Sequence, residues 1–270
     1  MRKLRVGVQL APQHTSYMAY AQAVREVEAL GVDTIWNWDH FIPPFFGDPP
    51  PKIQIDPPQG NHFEAWTLLT AMAMLTHRAE VGCLVTCNSY RNPALLANMA
   101  NTVDHISNGR LILGLGAGWF EADFQEYGYQ FGTAAERLRV LEGALPIIKQ
   151  RWEVDMPLPV RSTIPILIGG EGERVTLRLT AQYADMWNSG AEPDEFKHKC
   201  EVLDSWCEKV GRQPSAIERT LNIYGQPTIA TYDEYVAAGV QHIILNVGAP
   251  WDLTPVEHLI QWRDSRQASG

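Results

Sequence analysis

Apolar positions along the chain follow two alternating periods. Short runs that are apolar on both faces predict buried strands at 4–10, 34–38 and 80–87, within 108–119, and at 164–168, 184–188, 220–224 and 242–247. Between these runs apolar residues recur at helical spacing, as with Tyr20, Val24, Val27 and Leu30 before Gly31. Polar residues mark where the helices begin. Thr15 or Ser16 can cap the first, Asn61 with Glu64 forms a capping box for a helix over 63–77, and Asn92-Pro93 puts a cap and an N1 proline before a helix to Ile106. Thr133 with Glu136, Thr231 with Glu234, and Thr254-Pro255 with Glu257 open others. A further helix runs through Tyr183, and one starting at Pro193 carries Phe196, Cys200, Leu203 and Val210. Pro146 predicts a kink or a stop in the helix begun at Thr133.

Eight strands thus alternate with eight helices, which requires a parallel sheet covered on both faces. In a chain of 270 residues this fits one closed (β/α)8 TIM barrel over 1–270 better than an open doubly wound sheet. The 63–77 helix is apolar almost all round (Trp66, Leu68, Leu69, Met72, Met74, Leu75), so it is buried on more than one side, within the fold or in a homodimer interface with its neighbour 93–106. One long insertion, 42–62, follows the second strand. Its prolines (Pro43, Pro44, Pro49, Pro50, Pro51, Pro57, Pro58) exclude helix interior and central strand and predict a stiffened active-site loop. The segments 119–132 and 152–163 are expected to join it over the pocket.

Composition narrows the function classes. The chain is 45% hydrophobic and 20% charged, as an ordinary globular protein is, and its net charge of −9 argues against a nucleic-acid surface. No run reaches the ~18 apolar residues of a membrane span, and Met-Arg-Lys-Leu-Arg-Val enters a strand with no leader-like segment. The four cysteines (Cys83, Cys87, Cys200, Cys207) show no CxxC spacing. Reduced thiols and a cytoplasmic location are the expectation. No HExxH or clustered Asp/Glu/His spacing points to a metal, and neither a GxSxG elbow nor a P-loop occurs.

A barrel binds its ligand at the C-terminal ends of the strands, which here selects 9–13, Asp39-His40, Thr86-Cys87-Asn88, 116–119, 169–171, Trp187-Asn188, Gln226 and Asn246. Gly114-x-Gly116-x-Gly118 lacks the GxGxxG spacing and opens no helix directly, so a Rossmann turn is disfavoured. A pocket floor and a close-packed strand crossing remain as readings. Gly169-Gly170-Glu171-Gly172 offers backbone N–H groups before a helix start, either an anion site or a tight turn. His40, at the end of a strand, is the best acid–base candidate, a structural histidine being the alternative. Trp119 and Trp187 are candidate walls for a conjugated ring.

These residues resemble the luciferase-like superfamily of flavin- and deazaflavin-dependent oxidoreductases. The resemblance lies in Gly31-x-Asp33-x-Ile35-Trp36 with Asp39-His40-Phe41, in 85–93, in 102–119, in Ile166-Leu167-Ile168-Gly169-Gly170 and in Tyr183-Ala184-Asp185-Met186-Trp187-Asn188, and spans nearly the whole chain in order. It implies the barrel, a homodimer and a cofactor at the strand ends. Trp38-Asp39-His40 is similar to the branch using coenzyme F420, an 8-hydroxy-5-deazaflavin, with Asp39 and His40 near the hydride-carrying edge of the ring. The resemblance also implies a non-proline cis peptide behind the ring, by position Cys83–Leu84, and assigns Thr86, Ala117, Gly118, Gly169 and Gly170, with Glu171 beside them, to ring and phosphate contacts.

The chain departs from the members that oxidise secondary alcohols or sugar phosphates. They keep a glutamate after the first strand, where Gln13 stands, another after the fourth strand, where Trp119 stands, and a tryptophan near Pro43-Pro44. Without those bases the expected activity is F420-dependent reduction of a small organic substrate, with Gln13, Trp119 and Trp187 in the substrate pocket and His40 as the catalytic hydrogen-bond or proton donor. The alternatives are an FMN-dependent monooxygenase and a non-catalytic flavin- or deazaflavin-binding barrel.

Overall fold

The structure is a computed structural model and describes residues 3–45, 54–55, 60–225 and 227–268. In chain order the elements are β1 (Arg5–Leu10), α1 (Tyr17–Leu30), β2 (Thr34–Asn37), the short pair β3 (Pro44–Phe45) and β4 (Gln54–Ile55), α2 (Ala65–Leu75), β5 (Glu80–Cys83), β6 (Thr86–Cys87), α3 (Pro93–Ile106) and β7 (Leu111–Gly116). They continue as α4 (Glu121–Glu126), α5 (Ala134–Val154), β8 (Ile166–Gly169), α6 (Thr176–Tyr183), β9 (Met186–Ser189), α7 (Pro193–Lys209), β10 (Glu218–Ile223), α8 (Ile229–Ala237), β11 (His242–Val247) and α9 (Thr254–Ala268).

All pairings among the barrel strands are parallel, in the order β5-β2-β1-β11-β10-β9-β8-β7, and β5 with its continuation β6 pairs back onto β7 to close the ring. This is the expected (β/α)8 barrel. Both faces of its strands are buried, as the unbroken apolar runs require. Inside, Trp36, Ile112, Leu167, Met186 and Ile244 pack in one cluster with Leu84 and Val85, while a larger core fills the space between barrel and helices.

Polar ties set the ends of several elements. Arg110, directly after Asn108 and Gly109 in their left-handed conformations, donates to the carbonyls of Ala73, Thr76 and Ala79 and to Thr76 Oγ1. It thereby satisfies the otherwise orphaned C-terminus of α2. At the N-terminal mouth of the barrel Arg5 pairs with Glu80 and Glu218, Arg161 with Glu80, and the buried His242 places Nδ1 3.0 Å from Glu218 and Nε2 2.9 Å from Thr34.

Several local expectations change. Asn61 donates to the Thr15 carbonyl, and Glu64 itself caps α2 through the N–H groups of Trp66 and Thr67, because a carboxylate at that position reaches both. Thr228, not Thr231, caps α8, with Thr231 as its reciprocal partner. Pro146 lies inside α5 without ending it; only the Glu142 carbonyl loses its helical donor. The 119–132 segment contains α4. The 152–163 segment does not cover the pocket. It precedes β8 at the opposite end of the barrel, where Pro157 and Leu158 accept from Asn101 and His105 of α3, and Val160 donates to Asp104. Much of the 42–62 loop, including Pro49, Pro50, Pro51, Pro57 and Pro58, lies outside the described residues, as does Gln226. No helix of the described residues is long and apolar enough to cross a membrane, and among them no cluster of His, Cys, Asp and Glu suits a metal.

Candidate active site

At the C-terminal mouth β5 stops pairing with β2 after Cys83, the backbone turns inward over Leu84 and Val85, and β6 resumes beside β7 at Thr86. The non-proline cis peptide is Leu84–Val85, one bond later than expected, because Cys83 is still held in the ladder opposite Asn37. The glycines of β7 and β8 receive this bulge. A Cβ at Gly114 would lie 2.1 Å from the Cys83 carbonyl oxygen, one at Gly116 2.6 Å from Val85 Cγ2, and one at Gly169 3.0 Å from Val85 Cγ1. The glycines are therefore filled by Val85, and Leu84 with Val85 forms the cavity floor.

Above that floor is a cavity of about 570 Å³, a volume that suits a ring system with several substituents. Asp39, His40, Leu84, Ala117, Gly118, Trp119, Gly169 and Gly170 all reach its wall. So do Trp38, Tyr90, Arg137, Asn188, Asn222 and Tyr224, which the strand-end rule only partly anticipated. Cys83 and Thr86 are buried beneath the floor. Trp187 is a correction: its side chain is wholly buried on the outer face of β9 against Phe196, with Nε1 donating to the Gly170 carbonyl. Gln13 turns its amide to the Pro44 carbonyl and is not among the described residues that line the cavity. The Gly170 N–H is taken by the Asn188 carbonyl, and Glu171 accepts from Ser189 Oγ and the Gly190 N–H, so this turn is not an open anion cradle. Among the described residues, Arg137 on α5 brings a guanidinium to the cavity wall, anchored through the carbonyls of Gly118, Phe131 and Gly132.

His40 has a partner that sequence reading missed. Its Nδ1 is 2.7 Å from Oδ2 of Asp123, a fully buried residue of α4. Asp123 also accepts the N–H groups of Phe41 and Ile42, each at 2.9 Å, and the Tyr90 hydroxyl at 3.1 Å. A carboxylate so surrounded is an acceptor only, so His40 Nδ1 carries a proton and Nε2 is the nitrogen left for a ligand. Trp119 and Phe120 stand edge-on to the imidazole at 5.4 and 5.3 Å.

Asp39 has a different job. Arg91 grips it bidentately at 2.5 and 3.0 Å, the Cys87 N–H adds a third bond, and Arg91 also reaches Glu64. Burial pushes the Asp39 carboxyl up from its ordinary range and Arg91 opposes it; burial likewise disfavours the Arg91 charge, which Asp39 and Glu64 more than restore. The pair braces the end of β2 against the start of α3. Burial raises the Cys87 thiol to about 12, so it faces the cavity as a neutral, unreactive group.

A flat tricyclic ring fits this chemistry. The floor is apolar, Trp38 and Trp119 supply aromatic walls, Asn188 and Asn222 line a polar edge, and Arg137 offers a charge for an acidic side chain.

Fold and site together define a parallel barrel with a ligand-sized cavity at its strand ends, and comparison with known proteins gives the family. Residues 4–269 match the luciferase-like monooxygenase family model, and the chain belongs to that family. It is 29% identical over 220 residues to the phthiodiolone/phenolphthiodiolone dimycocerosates ketoreductase of Mycobacterium tuberculosis, covering 70% of this chain and 55% of that protein. It is 26% identical over 230 residues to the 5,10-methylenetetrahydromethanopterin reductase of Archaeoglobus fulgidus, covering 80% of this chain and 62% of that one. The chain therefore spans less than two thirds of the length of these curated relatives. An F420-dependent secondary alcohol dehydrogenase, solved with an F420-acetone adduct, superposes with a TM-score of 0.80 at 16% identity, over 96% of this chain and 98% of that one. At that identity the likeness establishes the shared fold.

Proposed function

We propose that this protein is an F420-dependent oxidoreductase that acts as a reductase of a small organic substrate. The observation that carries the reading is the His40–Asp123 pair at the edge of an aromatic cavity that holds no uncommitted acid. Among the described residues Asp39 is the one carboxylate on the cavity wall, and Arg91 neutralises it. The carboxylate base that an oxidation could use is missing from the cavity wall among the described residues, while the Asp123-held imidazole, when protonated at Nε2, can give the proton a reduction needs, as it would accept one in the reverse reaction. When bound, reduced deazaflavin supplies a hydride. His40 Nε2 delivers the proton to the substrate atom that gains negative charge, while Asp123 holds the ring in register and balances the imidazolium. Trp38 and Trp119 exclude water and favour an apolar substrate. The relatives named above include two reductases, which agrees with this direction.

Titrating the purified protein with F420 and with FMN, followed by fluorescence quenching, tests the cofactor. F420 binding is expected; tight FMN binding without F420 binding would overturn the proposal in favour of a monooxygenase. Vigorous F420-dependent oxidation of isopropanol or glucose 6-phosphate would overturn the assigned direction. A homodimer through the α2–α3 face is part of the proposal, since Met74, Leu95 and Ile106 are exposed there. A monomer at micromolar concentration in sedimentation would refute it.

A further inference from the structure

The Asp123 carboxylate is saturated with donors, and two of them compete for one oxygen. Its side chain is 0% exposed. Oδ1 accepts the N–H groups of Phe41 and Ile42, each at 2.9 Å, while Oδ2 accepts from His40 Nδ1 at 2.7 Å and from the Tyr90 hydroxyl at 3.1 Å. A carboxylate offers about four lone-pair sites, so all of them are filled. Charge on Oδ2 is what favours the imidazolium of His40 over its neutral ring, and the Tyr90 hydrogen bond draws part of that charge away. Burial, with Cys87 and Asp123 beside it, pushes the Tyr90 hydroxyl far above its ordinary range, so it remains a donor whatever the state of His40. The Tyr90 ring is fixed independently, against Phe41 at 4.5 Å, Phe124 at 5.0 Å and Tyr129 at 5.1 Å.

The other ionisable groups around His40 are committed elsewhere. Asp39 is gripped by Arg91, which also holds Glu64. His62 donates Nε2 to the His40 carbonyl at 2.6 Å, and burial, with His40 and His14 adding to it, holds its imidazole below the ordinary range and neutral. Burial keeps the thiol of Cys87 and the hydroxyl of Tyr224 neutral on the cavity wall, where Arg137 is tied to backbone carbonyls.

We propose that Tyr90 is a positioning residue that tunes the proton donor: by sharing Asp123 Oδ2 with His40, its hydroxyl weakens the hold of the carboxylate on the imidazolium, so that Nε2 gives up its proton more readily. The task of His40 rests on the functional reading above, whereas the sharing of Oδ2 rests on geometry and needs no cofactor. Without the Tyr90 hydroxyl, Oδ2 serves His40 alone and the imidazolium is favoured. His40 then stays protonated to higher pH, and a reduction that uses the Nε2 proton persists to higher pH with it.

The test follows the His40 imidazole C–H resonance against pH by NMR in the protein without cofactor, assigned by its loss in His40→Gln. It compares the wild type with Tyr90→Phe, which keeps the ring and its packing. Tyr90→Phe is expected to move the His40 titration up by about half a pH unit or more, and the alkaline limb of the F420-dependent rate in the same direction. A fluorotyrosine in place of Tyr90, whose hydroxyl donates more strongly, should move both the other way. It decides the matter if thermal melting shows that Tyr90→Phe does not fold. A His40 titration that stays in place or falls in Tyr90→Phe, or that the fluorotyrosine leaves unmoved, overturns the inference, and a loss of rate equal at every pH marks Tyr90 as merely structural. Failure of the wild type to bind F420 overturns the functional reading, while the His40 titration still decides whether Tyr90 tunes the imidazole.

Discussion

His40 Nδ1 and Asp123 Oδ2 lie 2.7 Å apart although 83 residues separate them, and their contact joins the end of β2 to α4. If Asp123 orients the imidazole that donates the proton, its removal costs rate and not cofactor affinity. His40→Gln is expected to lower kcat by ~10²–10⁴. Asp123→Asn keeps an acceptor for the Phe41 and Ile42 N–H groups but presents Nδ2 to His40, forcing the other tautomer; a loss of at least about tenfold in kcat with F420 affinity unchanged is expected. A kcat for Asp123→Asn within twofold of wild type would show that Asp123 has no part in the proton transfer.

The Arg91–Asp39 pair makes a prediction about stability. The two side chains are only 10% and 1% exposed, so truncating Arg91 strands a buried carboxylate. Arg91→Met should destabilise the protein by about 3–5 kcal/mol in urea unfolding. Asp39→Asn should recover part of that loss in the double variant, since it removes the uncompensated charge.

At the opposite mouth, Glu218 ties stability to pH. Burial opposes its charge, yet His242 and Arg5 hold the carboxyl down at about 2, from an ordinary 4.5. Because the folded-state value is the lower one, the stabilisation is fully present above about 4.5 and is lost as pH falls toward 2. Its full size is at most ~3 kcal/mol. Glu218→Gln should flatten the acid limb of the stability–pH curve; an unchanged limb would assign the acid sensitivity to other carboxylates.

Two glycine-to-alanine changes should move stability in opposite directions. Gly114→Ala drives a methyl to 2.1 Å from the Cys83 carbonyl oxygen, which is rigid backbone, so a loss of ~1–3 kcal/mol or more and weaker ring binding are expected. Gly143, inside α5, has nothing within 4 Å of a new Cβ, and Gly143→Ala should gain ~0.5–1 kcal/mol. Thermal melts of the two variants check the contrast.

Period and punctuation in the sequence were enough for the eight βα units, the closed parallel barrel and the strand-end position of Asp39-His40, because a strand buried on both faces and a capped amphipathic helix each leave a local signature. Burial on both faces also hides which way a strand residue points. Trp187 therefore read as a pocket wall, although its strand turns it outward onto Phe196. The glycines 114, 116 and 169 were legible as small, but only the tertiary structure shows that Val85 and the Cys83 carbonyl occupy the space they leave. The segment 152–163 lies at the opposite end of the barrel from the cavity, against α3, and loop composition does not say at which end of a barrel a connection lies. Asp123 carries no motif at all, and nothing in the sequence points Tyr90 toward it. What makes them functional candidates is that hydrogen bonds from His40 and Tyr90, 83 and 33 residues away, meet on one buried carboxylate. Sequence periodicity reports the local environment of each element, whereas a site is made where several strands end together.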